Sequence, residues 1–189
     1  MDVRTLCLAV LSKGEATGYE IKKAFEEGPF AHFQRASFGS IYPALSRLLA
    51  EGLVEAHAME QDGRPDKKMY RLTAQGQATF HAALTVDPEP DQFRSDLLFL
   101  LFFACHLPPA RAATLLDAAT ASYRGHVARV SGIKAEREAV SNATGQPLDP
   151  GREFVAGFGI TLYQAAADYL DANRDALLAD LQGHAEAAE

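Results

Sequence analysis

Ser37-FGSIYPALSRLLAEGLVEAHAMEQDGRPDKKMYRL-Thr73 is the stretch that decides the fold. Ile41, Leu45, Leu48 and Leu49 recur at helical spacing, which predicts a helix with one apolar face. Ser40, Ala44 and Arg47 are expected on its other face. Gly52 stops the helix, as a glycine just past the last apolar turn does. Leu53-Val54-Glu55-Ala56 and Met69-Tyr70-Arg71-Leu72 then read as two short strands. Asp62 to Lys68, rich in turn residues and in positive charge, is expected as the hairpin tip between them. A helix with a bare polar face followed by a basic hairpin is the plan of a winged helix-turn-helix. Such a helix fits the major groove of DNA, with the hairpin resting on the backbone.

The regions on either side agree with this plan. Val3, Leu6, Val10 and Leu11 mark a first helix, ended by Ser12-Lys13-Gly14. Thr17 and Glu20 have the spacing of a capping box and open a second helix, with Tyr19, Ile21, Ala24 and Phe25 as its apolar residues. Glu26-Glu27-Gly28-Pro29 closes it, and Phe30 to Ala36 form an aromatic connection. Pro43 fits best if the third helix begins near Ser40; an earlier start predicts a kink. Thr73 caps a fourth helix that runs to about Thr85. Asp87-Pro88-Glu89-Pro90-Asp91 can continue neither helix nor sheet. The expected division is therefore residues 1–86, a linker at 87–91, and residues 92–189.

The second region reads as helical throughout. Phe93 to His106 is apolar nearly all round and predicts burial in a cluster or an interface. After Pro108-Pro109, Leu116, Ala119, Tyr123, Val127 and Val130 have the spacing of a helix-on-helix seam up to about Val140. Asn142 to Asp149 is a loop. Asp149 caps a last helix with Pro150 at its first position. Phe154, Phe158, Leu162, Ala165 and Tyr169 form a stripe on it, which Leu177, Leu178 and Leu181 are expected to extend. This much apolar surface predicts a homodimer built through the C-terminal helices. The fold class is mainly α with a small two-stranded β-wing.

Charge supports a nucleic-acid partner only locally. The 189-residue chain carries a formal net charge of -7. Up to Leu84, ten Lys/Arg balance ten Asp/Glu, so the whole excess of acid lies beyond. A duplex asks for a positive patch rather than a positive protein, and Arg64, Lys67, Lys68 and Arg71 supply one at the hairpin. Cys7 and Cys105 sit far apart in apolar runs and read as reduced, buried thiols of a cytoplasmic protein. No signal-type leader is expected at Met1, and Leu97 to Cys105 is too short to span a bilayer. The six histidines lack metal-ligand spacing, so no metal or other cofactor is expected. Nucleophile elbow, phosphate-binding glycine loop and carboxylate pair are all missing, which argues against an enzyme.

The chain resembles the PadR-like family of bacterial transcription regulators over roughly residues 4 to 84. Leu6 to Leu11, Thr17-Gly18-Tyr19-Glu20-Ile21, Gly39 to Leu48, Glu51-Gly52-Leu53-Val54, Gly63-Arg64-Pro65 and Tyr70 to Gly76 carry the likeness. Thr17 departs from it, standing where the family often has His, and so does Asp66, at a wing position that is often basic. The resemblance implies a dimer that binds double-stranded DNA at a pseudo-palindromic operator, most often as a repressor. In some members a small aromatic or cationic compound is the effector. It also implies a phosphate contact from the Tyr42 hydroxyl, beside the plainer reading of Tyr42 as a half-buried ring covering the core.

Ser40 and Arg47 lie two turns apart and can reach phosphate or base edges, while Arg64, Lys67 and Lys68 suit phosphate. The plainer reading of Arg47 is a solvated charge paired with Glu51 four residues on. Lys22 and Lys23 read as a solvated face or as backbone contacts. Phe99, Phe103 and Phe158 make a candidate effector pocket, with core packing as the simpler reading. The alternatives are an activator, or a winged-helix module that binds a partner protein.

Overall fold

Asp2 starts the first helix, its carboxylate accepting the Thr5 amide at 2.8 Å. The computed structural model describes residues 2–26, 38–61, 64–91 and 93–188. Two compact units, Met1–Gln92 and Phe93–Glu189, divide the chain. The first contains α1 (Val3–Leu11), β1 (Ala16–Thr17), α2 (Gly18–Glu26), α3 (Phe38–Ala50), β2 (Val54–Gln61), β3 (Arg64–Leu72) and α4 (Ala74–Ala83). The connection at 30–36 and the tip residues Asp62 and Gly63 lie outside the described residues.

The core of this unit gathers one face from each helix. Leu6, Cys7, Leu8, Leu11, Ile21, Phe25, Ile41, Leu45 and Leu48 are buried together with Val54 and Tyr70 of the sheet. Leu8, Ile21, Ile41, Leu45 and Leu48 are fully buried, each contributing about 2 kcal/mol by leaving water. Cys7 lies within this core, and burial pushes its thiol up to about 12. The capping box at α2 is reciprocal: the Thr17 amide donates to Glu20 Oε2 at 2.7 Å and the Glu20 amide to Thr17 Oγ1 at 3.1 Å.

Several expectations change. The two-stranded wing, β2 with β3, is present and gains a third antiparallel strand, giving the order β1-β3-β2. Its extra member, Ala16–Thr17, pairs with Met69 and Tyr70 and is too short to show any alternation. The hairpin is longer than expected, because Gln61 pairs with Arg64 and Lys67 and Lys68 lie within β3. Strand β3 tolerates Pro65 there because β1 pairs only with Met69 and Tyr70, leaving that edge open. Ala44 faces the core, 6% exposed, rather than the outer face of α3. Tyr19 points outward at 59% exposure. Helix α3 starts at Phe38, so Pro43 sits inside it and leaves the Gly39 carbonyl without its helical donor.

One junction fastens α3, the sheet and α4. The Thr73 amide donates to the Leu53 carbonyl at 3.1 Å. The Thr73 hydroxyl lies 2.8 Å from the Gly52 carbonyl and accepts the Gly76 amide at 3.0 Å. A Cβ on Gly76 would stand 1.9 Å from the Leu53 carbonyl oxygen, so only glycine fits.

The second unit comprises α5 (Asp96–Phe102), a 3-10 turn (Ala104–His106), α6 (Pro109–Thr144) and α7 (Pro150–Ala188). Gly145, at φ 71, ends α6 in the left-handed conformation, and Asp149 Oδ1 accepts the Arg152 amide at 3.1 Å to cap α7. The α6 seam holds: Leu116 is buried, and Ala119, Tyr123, Val127 and Val130 are half-buried. Arg174 grips Asp117 through two hydrogen bonds of 2.7 and 3.1 Å. Lys134 bonds Glu153 at 2.9 Å.

The α7 stripe divides, contrary to expectation. Leu181 is buried, and Leu177 and Leu178 pack against Ala104 and Ala112. Phe154, Phe158, Leu162 and Tyr169 lie on the opposite side and are 48–77% exposed. At 100° per residue the two sets cannot share a face. The segment after Phe93 is likewise open within one chain, with Phe99 65% and Phe102 83% exposed.

Replacing Gly76 by Ala is expected to cost about 3 kcal/mol of stability, the scale of a strained or overpacked buried site. Urea unfolding of the two proteins measures this, and equal midpoints would show that the junction yields.

Candidate nucleic-acid interface

Helix α3 has a face that does no core work. Ile41, Ala44, Leu45 and Leu48 are turned inward, while Tyr42, Pro43, Ser46 and Arg47 are exposed and Ser40 is half-buried at the edge. Ser46 sits between Tyr42 and Arg47 by helical geometry and was absent from the sequence-based set. Its signal was its place four residues after Tyr42 in the same outward arc.

Tyr42 is held from behind by α2. Its ring lies so close to Gly18 that a Cβ there would stand 2.7 Å from Cε1 and 3.1 Å from the phenolic oxygen. The ring is 42% exposed on its other side. The edge of this amphipathic ring that carries the hydroxyl thus lies against the first turn of α2.

Arg47 does not pair with Glu51, which bonds Arg4 of α1 instead. Among the described residues Arg47 has no ionic or hydrogen-bonded partner. Its guanidinium is thus available to an incoming acceptor.

The ribbon divides its charge between two faces. Lys68 is exposed and stands 5.3 Å over the Tyr70 ring, a cation–π contact that keeps the ammonium near the domain. Lys67 is exposed on the alternate face. The Thr17 amide and hydroxyl hold the Glu20 carboxyl below its usual range, and the charge of Lys67 adds to this. The side chains of Arg64 and Asp66 lie outside the described residues. Arg71 is committed elsewhere: it bonds Glu55 at 2.7 Å and lies 3.8 Å from Glu15, which also faces His57 at 3.4 Å. Lys22 likewise pairs with Glu26 at 3.1 Å.

In the second unit, Phe99 and Phe103 meet edge to face at 5.3 Å. Phe158 is not with them. Ala104, next to Phe103, packs on Leu177 to Leu181, and about 20 residues of helix at 1.5 Å each separate that region from Phe158 by about 30 Å. A pocket holding all three needs a second chain. Among the described residues no cluster of His, Cys, Asp and Glu fits a metal ion.

A helix-turn-helix followed by a two-stranded ribbon defines the winged-helix class. The pattern of the transcriptional regulator PadR-like family matches residues 7–82 of this chain. It is similar to the "Negative transcriptional regulator PadR" of Bacillus subtilis (strain 168), 32% identical over 109 residues that make up 57% of this chain and 59% of that protein. The crystal structure of the PadR-like transcriptional regulator BC1756 from Bacillus cereus has a TM-score of 0.76 at 29% identity, covering 92% of this chain and 94% of that one. Bacillus subtilis PadR in complex with operator DNA shares the fold, with a TM-score of 0.72 at 23% identity over 94% of this chain and 98% of that one. The same Bacillus subtilis protein is also solved with p-coumaric acid.

Proposed function

We propose that this protein binds double-stranded DNA sequence-specifically as a homodimer and represses transcription from a pseudo-palindromic operator in the cytoplasm. The observation that carries this reading is the outward face of α3, where Tyr42, Ser46 and Arg47 are exposed beside a ribbon bearing the exposed Lys67 and Lys68, and where Arg47 has no ion-pair partner among the described residues. Side chains of this kind are what base edges and phosphates take. The negative regulator of Bacillus subtilis supports repression over activation. The role needs neither turnover nor a cofactor.

In this reading Ser40, Tyr42 and Arg47 engage the major groove and its edges, and Arg64, Lys67 and Lys68 engage backbone phosphates. Dimerisation is supported by the aromatic stripe of α7 and by α5, whose large apolar side chains lie open in one chain. Apolar areas of that extent mark surfaces that a partner covers. Two copies would present their α3 helices to half-sites about 34 Å apart. A small aromatic effector would sit where Phe99 and Phe103 of one chain approach Phe158 of the other, and binding there would shift the spacing between reading helices.

Three outcomes test the proposal. Replacing Arg64, Lys67 and Lys68 together by Ala is expected to weaken binding to all DNA sequences alike. The dependence of log K on log salt should flatten by up to about three. Mobility shifts across a salt series read this, and an unchanged slope would remove the ribbon from the interface. Arg47→Ala should instead relax sequence preference at one position of each half-site, by about 1–3 kcal/mol. Selection from a randomised operator pool measures that preference; a uniform loss would move Arg47 to phosphate. Finally, Phe158→Glu with Tyr169→Glu should yield monomers in sedimentation velocity, and a dimer that survives both charges would clear α7 of the interface.

A further inference from the structure

Gly18 and Gly76 both forbid a side chain, for different reasons. At Gly76 the obstacle is the backbone oxygen of Leu53, which cannot move without taking the sheet with it. At Gly18 the obstacle is the Tyr42 ring, which has open space on its far side. The backbone at Gly18 is not in the left-handed region, so nothing about its own conformation demands glycine. The bare α-carbon therefore serves its neighbour.

We infer that Gly18 is a positioning residue for DNA binding: by presenting no side chain at the first turn of α2, it lets the Tyr42 ring lie flat there and fixes its hydroxyl at the rim of the α3 face. The inference rests on the proposed role of that face. A methyl at position 18 pushes Cε1 outward from 2.7 Å to ordinary contact, close to an ångström. The hydroxyl, at the end of the same rigid ring, moves with it. A hydrogen bond to a charged phosphate loses most of its strength over such a displacement. The same contact explains why glycine precedes Tyr19 at a position where alanine is the better helix former.

The test is a double-mutant cycle on operator DNA of the full-length protein, read by fluorescence anisotropy, with thermal melting of each variant. Gly18→Ala should weaken binding about tenfold, and Tyr42→Phe, which removes only the hydroxyl, by a similar factor. Gly18→Ala added to Tyr42→Phe should then cost nothing more, because the group it displaces is gone. Melting temperatures of all three should stay near the parent's. Independent losses that multiply, an unchanged affinity for Gly18→Ala, or an unchanged affinity for Tyr42→Phe would each overturn the inference. If Gly18→Ala lowers the melting temperature sharply, Tyr42→Ala in the same chain should restore it; failure to do so overturns the contact. A parent protein that selects no DNA fragment at all would instead overturn the functional reading on which this rests.

Discussion

The Leu53 carbonyl oxygen is the point on which the first unit turns. It takes the Thr73 amide, lies 3.2 Å from the Thr73 hydroxyl, and has the α-carbon of Gly76 pressed against it. The Leu53 amide donates back to Leu48 at 2.9 Å, and Gly52 turns the chain in the left-handed conformation between them. The end of α3, the start of β2, the end of β3 and the start of α4 are thereby tied within a few residues. That knot sets the angle at which the ribbon leaves α3. Without it, the outward face of the helix and the lysines of β3 would have no fixed relation, and no surface of defined shape would exist.

Periodicity and capping chemistry made most of the elements legible, since both are local. The reciprocal Thr17–Glu20 box, the Thr73 cap and the Asp149 cap with Pro150 behind it all appear where residue types placed them. What escaped was decided by neighbours distant in sequence. Strand β1 exists because β3 offers it an edge, not because Ala-Thr favours extension. The ribbon runs on through Lys67 and Lys68 because cross-strand pairing outweighs the turn propensity of Asp, Gly and Pro. Ala44 could not be assigned to a face from its own chemistry, because alanine is content in either. The α3 part of the site was therefore readable as a stretch but not side chain by side chain, and Ser46 entered only once the arc was visible.

Helix α7 shows the limit most clearly, for it has two apolar faces. One is lined by small or branched residues, with Ala167 and Leu170 buried, and packs toward α6. The other carries Phe154, Phe158, Leu162 and Tyr169. The aromatic face carries the larger side chains, yet the other face is turned inward. Small side chains let two helix axes approach closely, which raises the dispersion gained along every turn of a contact as long as this one. The ion pairs then set the register: Arg174 with Asp117 and Lys134 with Glu153 join α7 to α6 near opposite ends of the hairpin. At these exposed positions their worth is selection among sliding registers more than net stability.

The placement of charge bears on how such a domain would discriminate among sequences. The sequence concentrates cations at the hairpin, and the structure pairs part of that charge with nearby carboxylates. Arg71 is neutralised by Glu55 and Glu15, Lys22 by Glu26, Arg4 by Glu51, and Lys67 shares its field with Glu20. Lys68 and Arg47 stand apart from these pairs. A domain whose described cations are so largely paired would gain less from phosphate charge alone. Non-specific attachment to DNA would then be weak, and net binding would depend on groups whose value varies with the base or the groove they meet. In that regime the position of a single neutral hydroxyl, such as that of Tyr42 against Gly18, is a larger fraction of the total than it would be on a strongly basic surface.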